Sequence, residues 1–291
     1  MPMTATQRGN DTVVTCDDVF SLKDTLLSGQ TFRWRPYEDG FLGIVGQKAL
    51  YISQIGEEVV LHNCEICEYE GFWQRYFSFD EDYKAMRAHL EYDPNLVKAM
   101  EYCGGIRLMR QPLWETVISF IISANNNIPR IMGIIEKLSA RFGEKISTPY
   151  GDMYTFPTAE ALAAADITEI RACGTGYRDD YIKKTAAAFA CGDFVGDELC
   201  GMDRYSARKR LMSLQGVGAK VADCILLFSV GKEDAFPIDT WVRKVMCSLY
   251  LDGQTADSVS VKRIEAVAEE RFPRYAGFAQ QLLFHYIRNN T

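Results

Sequence analysis

The sequence lacks any long hydrophobic run. None of its 291 residues belong to an uninterrupted apolar stretch of about eighteen residues, the length that a membrane-spanning helix requires. A secretory signal is not expected either, because the segment Met1 to Asn10 is short and polar rather than basic and then apolar. We therefore expect neither membrane insertion nor secretion. The expected compartment is the cytosol, with association to the nucleoid if the source is bacterial.

An excess of positive charge is also missing. The formal net charge is −7, from 32 basic and 39 acidic residues. A chain with this balance is not held on a polyanion by bulk electrostatic attraction. Binding of a nucleic acid would therefore depend on local contacts, including backbone N–H donors, which need no side-chain charge.

Disulfide-bonded or metal-binding cysteines are not expected. The nine cysteines are scattered and odd in number, in a chain large enough to fold without a disulfide framework. His62, Cys64 and Cys67 form an H-x-C-x2-C cluster, but no second pair follows at the spacing of a zinc site. We expect reduced thiols and no metal.

One glycine-containing segment carries the strongest signal. Residues 214–224 read LQGVGAKVADC, and Pro237-Ile238-Asp239 follows. Gly216 and Gly218 can adopt positive φ and expose successive backbone N–H groups, and the next helix directs its positive end at the same place. Val221 stands where a dinucleotide-binding G-x-G-x-x-G would need its last glycine. The segment thus predicts a phosphate-binding hairpin and no nucleotide cofactor.

Lys220 and Asp239 add chemistry to this hairpin. A desolvated lysine amine can act as a Schiff-base nucleophile, and an aspartate after a proline can cap the next helix with its carboxylate near that lysine. Taken singly, Lys220 would be an ordinary solvated lysine and Asp239 an ordinary N-cap. Their combination with the hairpin favours catalysis.

This combination resembles the helix-hairpin-helix, Gly/Pro…Asp motif of base-excision DNA glycosylases, and more narrowly the 8-oxoguanine DNA glycosylase/AP lyase family. Four further segments match that family in order, so the resemblance spans nearly the whole chain. They are SGQTFRW at 28–34, residues 107–130 with NNNIPR at 125–130, GYR at 176–178 and FAQQLLF at 278–284. The resemblance implies removal of 8-oxoguanine opposite cytosine, with Lys220 and Asp239 catalytic and with strand cleavage at the abasic site.

The resemblance also assigns a base pocket. Phe284 would stack on the flipped base, Gln280 would read its Watson–Crick edge, and Cys224 would flank the other face. The Gly29 carbonyl would accept the N7 hydrogen that guanine lacks. Without the resemblance, Gly29 would be a strand-entry turn, and the other pair would belong to an amphipathic C-terminal helix.

On the opposite strand, the resemblance makes Asn125, Arg130 and Arg178 readers of the orphaned cytosine, with Tyr177 as a wedge. From the residues alone, these positions could equally be a helix terminus and an exposed loop. Two positions depart from the family. Trp241 replaces a histidine that the family often has, which puts a phosphate contact in doubt, and Gln215 replaces a proline before the hairpin.

The implied partner is damaged double-stranded DNA, bound by a monomer without a cofactor. The C-terminal segment lacks the four-cysteine cluster of the iron–sulfur glycosylases. Acidic residues concentrate in the N-terminal part and at 193–198, whereas three basic clusters are expected near the DNA, at 183–184, 208–210 and 243–244. We therefore expect tight local phosphate contacts and modest nonspecific affinity.

The predicted fold class is α+β, with an N-terminal antiparallel β-sheet domain over 1–105 and an all-helical core holding the motif over 106–291. Hydrophobic periodicity and turn signals predict strands at 31–36, 41–45, 49–54 and 59–62. Helices are predicted at 80–89, 112–124, 131–142, 166–174, 181–190, 204–213, 219–230, 239–250, 259–271 and 275–288. Asp166 with Glu169 resembles a capping box.

Two other functions remain open at this stage. One is a glycosylase of the same superfamily with another base preference, such as alkylated purines, for which the catalytic lysine is commonly absent. The other is a noncatalytic protein that uses the hairpin only to bind DNA. It would bind damaged and undamaged duplex alike.

Overall fold

A computed structural model describes residues 3–15 and 18–290 of the chain. Within them the N-terminal part forms a six-stranded sheet in the order β1-β2-β6-β5-β4-β3, with every neighbouring pair antiparallel. The strands are β1 (Thr4–Arg8), β2 (Asp11–Thr15), β3 (Trp34–Tyr37), β4 (Gly40–Val45), β5 (Lys48–Ile55) and β6 (Glu58–His62). A separate two-stranded hairpin pairs β7 (Lys145–Thr148) with β8 (Gly151–Tyr154).

Helices joined by loops form most of the rest of the described chain. They are α1 (Leu22–Leu27), α2 (Ile66–Glu68), α3 (Gln74–Tyr76), α4 (Tyr83–Leu90), α5 (Pro94–Cys103), α6 (Leu113–Ser123), α7 (Ile128–Phe142), α8 (Ala159–Ala164), α9 (Ile167–Ile170), α10 (Asp179–Ala190), α11 (Glu198–Gly201), α12 (Arg204–Leu211), α13 (Ala219–Ile225), α14 (Thr240–Tyr250), α15 (Val261–Arg271) and α16 (Ala276–Asn290). Together with the sheet, they confirm the predicted α+β fold.

An aromatic cluster closes the core of the sheet. Trp34 on β3 packs against Trp73 and Phe77, and its indole N–H donates to the Tyr76 hydroxyl at 2.9 Å. The indole also lies flat on β4, because a Cβ at Gly43 would come within 2.4 Å of its ring. Large aromatic side chains stabilise such a core through their buried area, and here they fix one end of the SGQTFRW segment.

The helical core includes two helices that precede the predicted boundary at residue 105. α4 and α5 carry buried side chains of the same hydrophobic cluster as α6, α13 and α16. Tyr83 of α4 packs edge-on against Phe278 of α16 at 5.1 Å between ring centroids. The domain boundary at 105/106 therefore stays a prediction. Residues 83–103, which precede it, pack with the helical core.

Several local expectations differ from the structure. β1 and β2 were not predicted, and neither were α5 nor the hairpin β7–β8. The predicted strand at 31–36 is strand only from Trp34 onward. Asp82 rather than Asp80 caps α4. Asp166 caps α9, but Glu169 does not complete a capping box, because its carboxylate pairs with Arg141.

Candidate active site

The predicted hairpin lies between α12 and α13. Gly216 has φ of +81°, and a Cβ there would come within 2.8 Å of Tyr181, so only glycine fits this turn. The Thr185 hydroxyl donates to the Gln215 carbonyl at 3.0 Å and fixes the entry to the hairpin. Gly218 differs from the expectation, because its φ is −88° and a Cβ would meet nothing. It is the exposed N-cap of α13, so its contribution is an uncovered backbone rather than positive φ.

Lys220 lies in the first turn of α13 and is half-buried. Its Nζ is 5.4 Å from the ring centroid of Phe120, a buried residue of α6. Phe120 is held edge-on by Phe32 of the SGQTFRW segment and stacked by Phe228. The amine therefore rests on an aromatic surface on one side.

Cys224 lies one turn beyond Lys220 and is only 3% exposed. Burial raises the pKa of the thiol to about 11, and the neighbouring Lys220 opposes this shift only in part. The sequence allowed either a thiol or a thiolate here. The structure favours the thiol at neutral pH, so Cys224 places no negative charge beside Lys220.

Asp239 is the N-cap of α14, where its side chain accepts a hydrogen bond from the Val242 N–H at 2.8 Å. Its negative charge acts on the pKa of both Cys224 and Arg288. The carboxylate is therefore within electrostatic reach of the helix that carries Lys220 and of α16. The convergence of the Lys220 and Asp239 side chains stays a prediction.

The Gly29 loop lies beside α16. Gly29 follows α1 with φ of +82°. The Gln281 amide donates to the Ser28 carbonyl at 3.0 Å, and the buried amide of Gln30 donates to the carbonyls of Thr25 and Arg107. These hydrogen bonds fix the backbone on which the Gly29 carbonyl depends.

α16 brings the other predicted base-binding residues to the same place. A Cβ at Gly29 would lie 3.6 Å from Cε1 of Phe284, so loop and ring are in contact. Gln280 is one turn earlier and 4% exposed, and its Oε1 has no hydrogen-bond partner among the described residues. A buried amide with an open acceptor suits the reading of a bound base.

The residues predicted to face the opposite strand form a second group. Asn125 is exposed, with φ of +49°, between α6 and α7, and Arg130 is exposed in the first turn of α7. Tyr177 is 55% exposed. Arg178 is different, since it is 4% exposed, donates to the carbonyls of Ala124 and Asn125, and lies over the Tyr177 ring at 4.3 Å. Its guanidinium would have to leave these carbonyls to read a cytosine.

The predicted basic clusters are less available than the sequence suggested. Arg208 is directed inward and pairs with Asp223 at 3.3 Å and Glu265 at 2.7 Å. Arg210 pairs with Glu198 at 3.3 Å. Acidic neighbours therefore neutralise two of the three basic residues in the cluster at 208–210, and the position of the three clusters near DNA stays a prediction.

Trp241 and Lys244 lie in the first turns of α14, just after Asp239. Trp241 is half-buried, and the exposed Lys244 places its Nζ 5.2 Å from the indole centroid. The position where the resembling family often has histidine thus presents an aromatic ring with a lysine above it. This pair still supplies one positive charge beside the site.

Four residues at the site were not predicted from the sequence: Phe120 below the lysine, Gln30 and Gln281 behind the Gly29 loop, and Arg288 beside Phe284. Arg288 extends the series Gln280 and Phe284 by another four residues, so its place on that face could have been inferred from helical periodicity. The contacts of the others depend on the tertiary fold.

No group of three or more His, Cys, Asp and Glu residues that could hold a metal occurs in the described ranges 3–15 and 18–290. None of the helices in those ranges is long and apolar enough to cross a membrane. The eight cysteines described there are free, and Cys16 lies outside the described residues.

Two family models of DNA repair proteins match this chain. The family model of HhH-GPD superfamily base excision DNA repair proteins matches residues 118–274, and that of the 8-oxoguanine DNA glycosylase N-terminal domain matches residues 13–117. The N-glycosylase/DNA lyase OGG1 of Arabidopsis thaliana is 30% identical over 89% of this chain and 75% of its own length. The chain therefore belongs to the 8-oxoguanine DNA glycosylase/lyase family and is a DNA N-glycosylase and lyase by class.

Solved structures agree with this assignment. The 8-oxoguanine glycosylase/lyase of Clostridium acetobutylicum, in complex with double-stranded DNA containing cytosine opposite 8-oxoG, is 37% identical. It superposes with a TM-score of 0.94 over 100% of this chain and 99% of that one. The 3-methyladenine DNA glycosylase of Archaeoglobus fulgidus, 22% identical with a TM-score of 0.78 over 96% and 99% of the two chains, shares the fold alone.

Proposed function

We propose that this protein removes 8-oxoguanine from duplex DNA, preferentially opposite cytosine, and then cleaves the strand at the resulting abasic site. The observation that carries this proposal is the neighbourhood of Asp239. Its charge acts on Cys224, beside Lys220, and on Arg288, which adjoins Gly29 and Phe284. A noncatalytic DNA-binding protein would have no need of a nucleophile and an aromatic platform around one carboxylate.

In the proposed reaction, the neutral Lys220 amine attacks C1′ of the flipped nucleotide. The glycosidic bond breaks, its electron pair leaves with the base, and the base takes up a proton. The Asp239 carboxylate stabilises the positive charge that develops on the sugar. After loss of the amine proton and opening of the sugar ring, the lysine holds C1′ as an iminium. Loss of a C2′ proton then expels the 3′ phosphate, and hydrolysis of the imine releases Lys220.

Base selection is proposed to depend on the Gly29 carbonyl. It accepts the N7 hydrogen of 8-oxoguanine, whereas guanine would place a second acceptor against it. Such a mismatch costs on the order of 1–3 kcal/mol. The hydrogen bond from Gln281 to Ser28 supports this role because it holds the adjacent backbone. Flipping the base itself costs a few kcal/mol, which stacking on Phe284 and the wedge Tyr177 would offset.

The remaining assignments complete the proposal. Gln280 reads the Watson–Crick edge, Asn125, Arg130 and Arg178 read the cytosine, and the hairpin at Gly216 and Gly218 binds phosphate. Damaged double-stranded DNA is the partner. The monomeric state, the absence of a cofactor and the cytosolic location stay predictions.

Borohydride trapping tests the proposed chemistry. The wild-type protein should form a covalent adduct with duplex containing 8-oxoguanine opposite cytosine, and Lys220→Gln should form none. Lys209→Gln, which removes an exposed lysine near the hairpin, is the matched control and should still be trapped. Absence of an adduct with the wild-type protein would rule out the lysine mechanism. Cleavage measured opposite each of the four bases tests the cytosine preference.

A further inference from the structure

Arg288 lies next to Gly29 and Phe284, two residues of the proposed base pocket. On α16, Gln280, Phe284 and Arg288 follow one another at intervals of four and therefore share a helix face. A Cβ at Gly29 would lie 3.2 Å from Nη1 of Arg288, closer than the 3.6 Å to Phe284. The guanidinium carbon is 5.3 Å from the centroid of the Phe284 ring. Gly29, Phe284 and Arg288 are thus mutual neighbours.

The guanidinium of Arg288 is only partly satisfied. Its Nη2 donates to the Leu27 carbonyl at 2.7 Å, just before the Gly29 loop. Its Nη1 is buried and has no hydrogen-bond partner among the described residues. Burial lowers the pKa of this side chain and the charge of Asp239 opposes that shift, so the guanidinium is within electrostatic reach of the catalytic carboxylate. An arginine remains protonated in such a setting and can only donate.

A buried donor without an acceptor costs about 1–3 kcal/mol. That cost is recovered when a ligand brings an acceptor to the open position. The base proposed to stack on Phe284 and to offer its N7 hydrogen to Gly29 carries carbonyl oxygens on both sides of N7, namely O8 and O6. The acceptor next to the Gly29 carbonyl is therefore the edge of the base itself.

We propose that Arg288 is a specificity-determining residue whose Nη1 donates a hydrogen bond to a carbonyl oxygen flanking N7 of the flipped purine. This inference rests on the proposed function, and it adds a donor to a pocket in which Gly29 supplies the acceptor. The pair recognises an N–H and a C=O side by side. Guanine presents O6 but neither O8 nor a hydrogen on N7.

Arg288→Met is the primary test, because methionine retains an apolar stem of similar reach and lacks every donor. We expect the single-turnover rate of 8-oxoguanine excision opposite cytosine to fall by about 10- to 150-fold, the equivalent of one lost hydrogen bond to a charged group. Cleavage of a preformed abasic site, where no base is present, should fall far less. Arg288→Lys, which restores a cationic donor, should recover part of the excision rate.

A matched control separates the proposed contact from loss of charge or of helix stability. Arg274→Met removes an exposed arginine before the other end of α16, about 20 Å from Arg288 by helix rise, and should leave excision unchanged. Thermal unfolding of each variant reports folding. Equal loss of excision and abasic-site cleavage in Arg288→Met would show a merely structural role and overturn the proposal, and so would wild-type excision.

Substrate analogues distinguish the two oxygens. 8-Oxoadenine keeps O8 and the N7 hydrogen but replaces O6 with an amino group. If Arg288 binds O8, the Arg288→Met substitution should weaken binding to duplex containing 8-oxoadenine as much as binding to duplex containing 8-oxoguanine. If Arg288 binds O6, the substitution should weaken only the binding to duplex containing 8-oxoguanine. If the wild-type protein does not excise 8-oxoguanine, the proposed function fails. If the wild type excises it and Arg288→Met does so equally well, only the role of Arg288 fails.

Discussion

Cys224 shows how the environment of one residue sets its chemical state. The side chain is buried, and burial raises the pKa of its thiol to about 11 because the thiolate loses its hydration. A thiol that is neutral at physiological pH contributes an apolar, polarisable surface to the pocket. It adds no negative charge beside Lys220.

Alkylation measures this state directly, because the thiolate is the reactive form. We expect iodoacetamide at pH 7.5 to modify the exposed Cys67, Cys191 and Cys200 while Cys224 stays unmodified. In denaturant all four should react, since their unfolded pKa values are ordinary. Peptide mapping by mass spectrometry gives the extent at each site. Modification of Cys224 in the folded protein as fast as of Cys67 would contradict the structure.

Gly29 and Arg288 should be energetically coupled. Gly29→Ala would place a methyl group 3.2 Å from the Arg288 guanidinium and would also strain a backbone with φ of +82°. Part of its effect on excision is therefore displacement of Arg288. Because Arg288→Met removes the guanidinium, the double variant should lose less than the product of the two single losses. Multiplicative losses in single-turnover rates would mean that the two residues act independently.

The helix α14 depends on Asp239 in two ways that substitution can separate. The side chain caps the helix through the Val242 N–H, and the same carboxylate is proposed to stabilise the sugar cation. Asparagine caps a helix about as well as aspartate but carries no charge, whereas alanine neither caps the helix nor carries a charge.

Asp239→Asn should therefore retain the stability of the protein and lose most excision activity. Asp239→Ala should lose the activity and also about 1 kcal/mol of unfolding free energy. Chemical denaturation and excision kinetics on the same preparations give both quantities. An active Asp239→Asn variant would assign this residue to helix capping alone.

The helices and strands differ in how well the sequence predicted them. Strands β4 to β6 were predicted because their apolar residues are largely buried. All six residues of β4 and the four central residues of β5 are buried, while β6 alternates between buried and half-buried residues. β1 and the hairpin β7–β8 were missed because most of their residues are not buried, so no alternation marks them. The hairpin is placed by tertiary contacts, such as the hydrogen bond from Tyr150 to the His62 carbonyl at 3.0 Å.

The charge balance of the whole molecule governs how strongly its binding to DNA depends on salt concentration. The net charge is −7, and Arg208 and Arg210 are neutralised by acidic neighbours. Few counterions are therefore released on binding.

We expect a plot of log affinity against log salt concentration for undamaged duplex to have a slope of about −2 to −4, which corresponds to a few phosphate contacts. The affinity for duplex is measured by fluorescence anisotropy at salt concentrations between about 50 and 200 mM. Lys244→Gln should make the slope less steep by about one unit if that lysine contacts phosphate, and Glu57→Gln serves as a control on the distant sheet. A slope near −8 would indicate a basic surface that the described chain does not form.

The candidate site could be assembled from the residues alone only where they lie close in sequence. Lys220 and Cys224 are one helical turn apart, whereas the roles of Gly29, Gln280 and Phe284 came from the family resemblance and stay predictions. Phe120 and Arg288 were missed because their contacts join distant parts of the chain, and periodicity alone cannot reveal which loop a helix face meets. The inward orientation of Arg208 was missed for the same reason, since its partners Asp223 and Glu265 lie on other helices.

The contact between Gly29 and Arg288 joins two segments that lie 259 positions apart by subtraction of their numbers. During synthesis, the segment with Lys220 and Asp239 leaves the ribosome before α16. A nascent chain that ends before α16 would thus carry the proposed nucleophile and carboxylate without Phe284 and Arg288. We therefore expect the proposed recognition of the lesion to be assembled only after residue 288 has been synthesised.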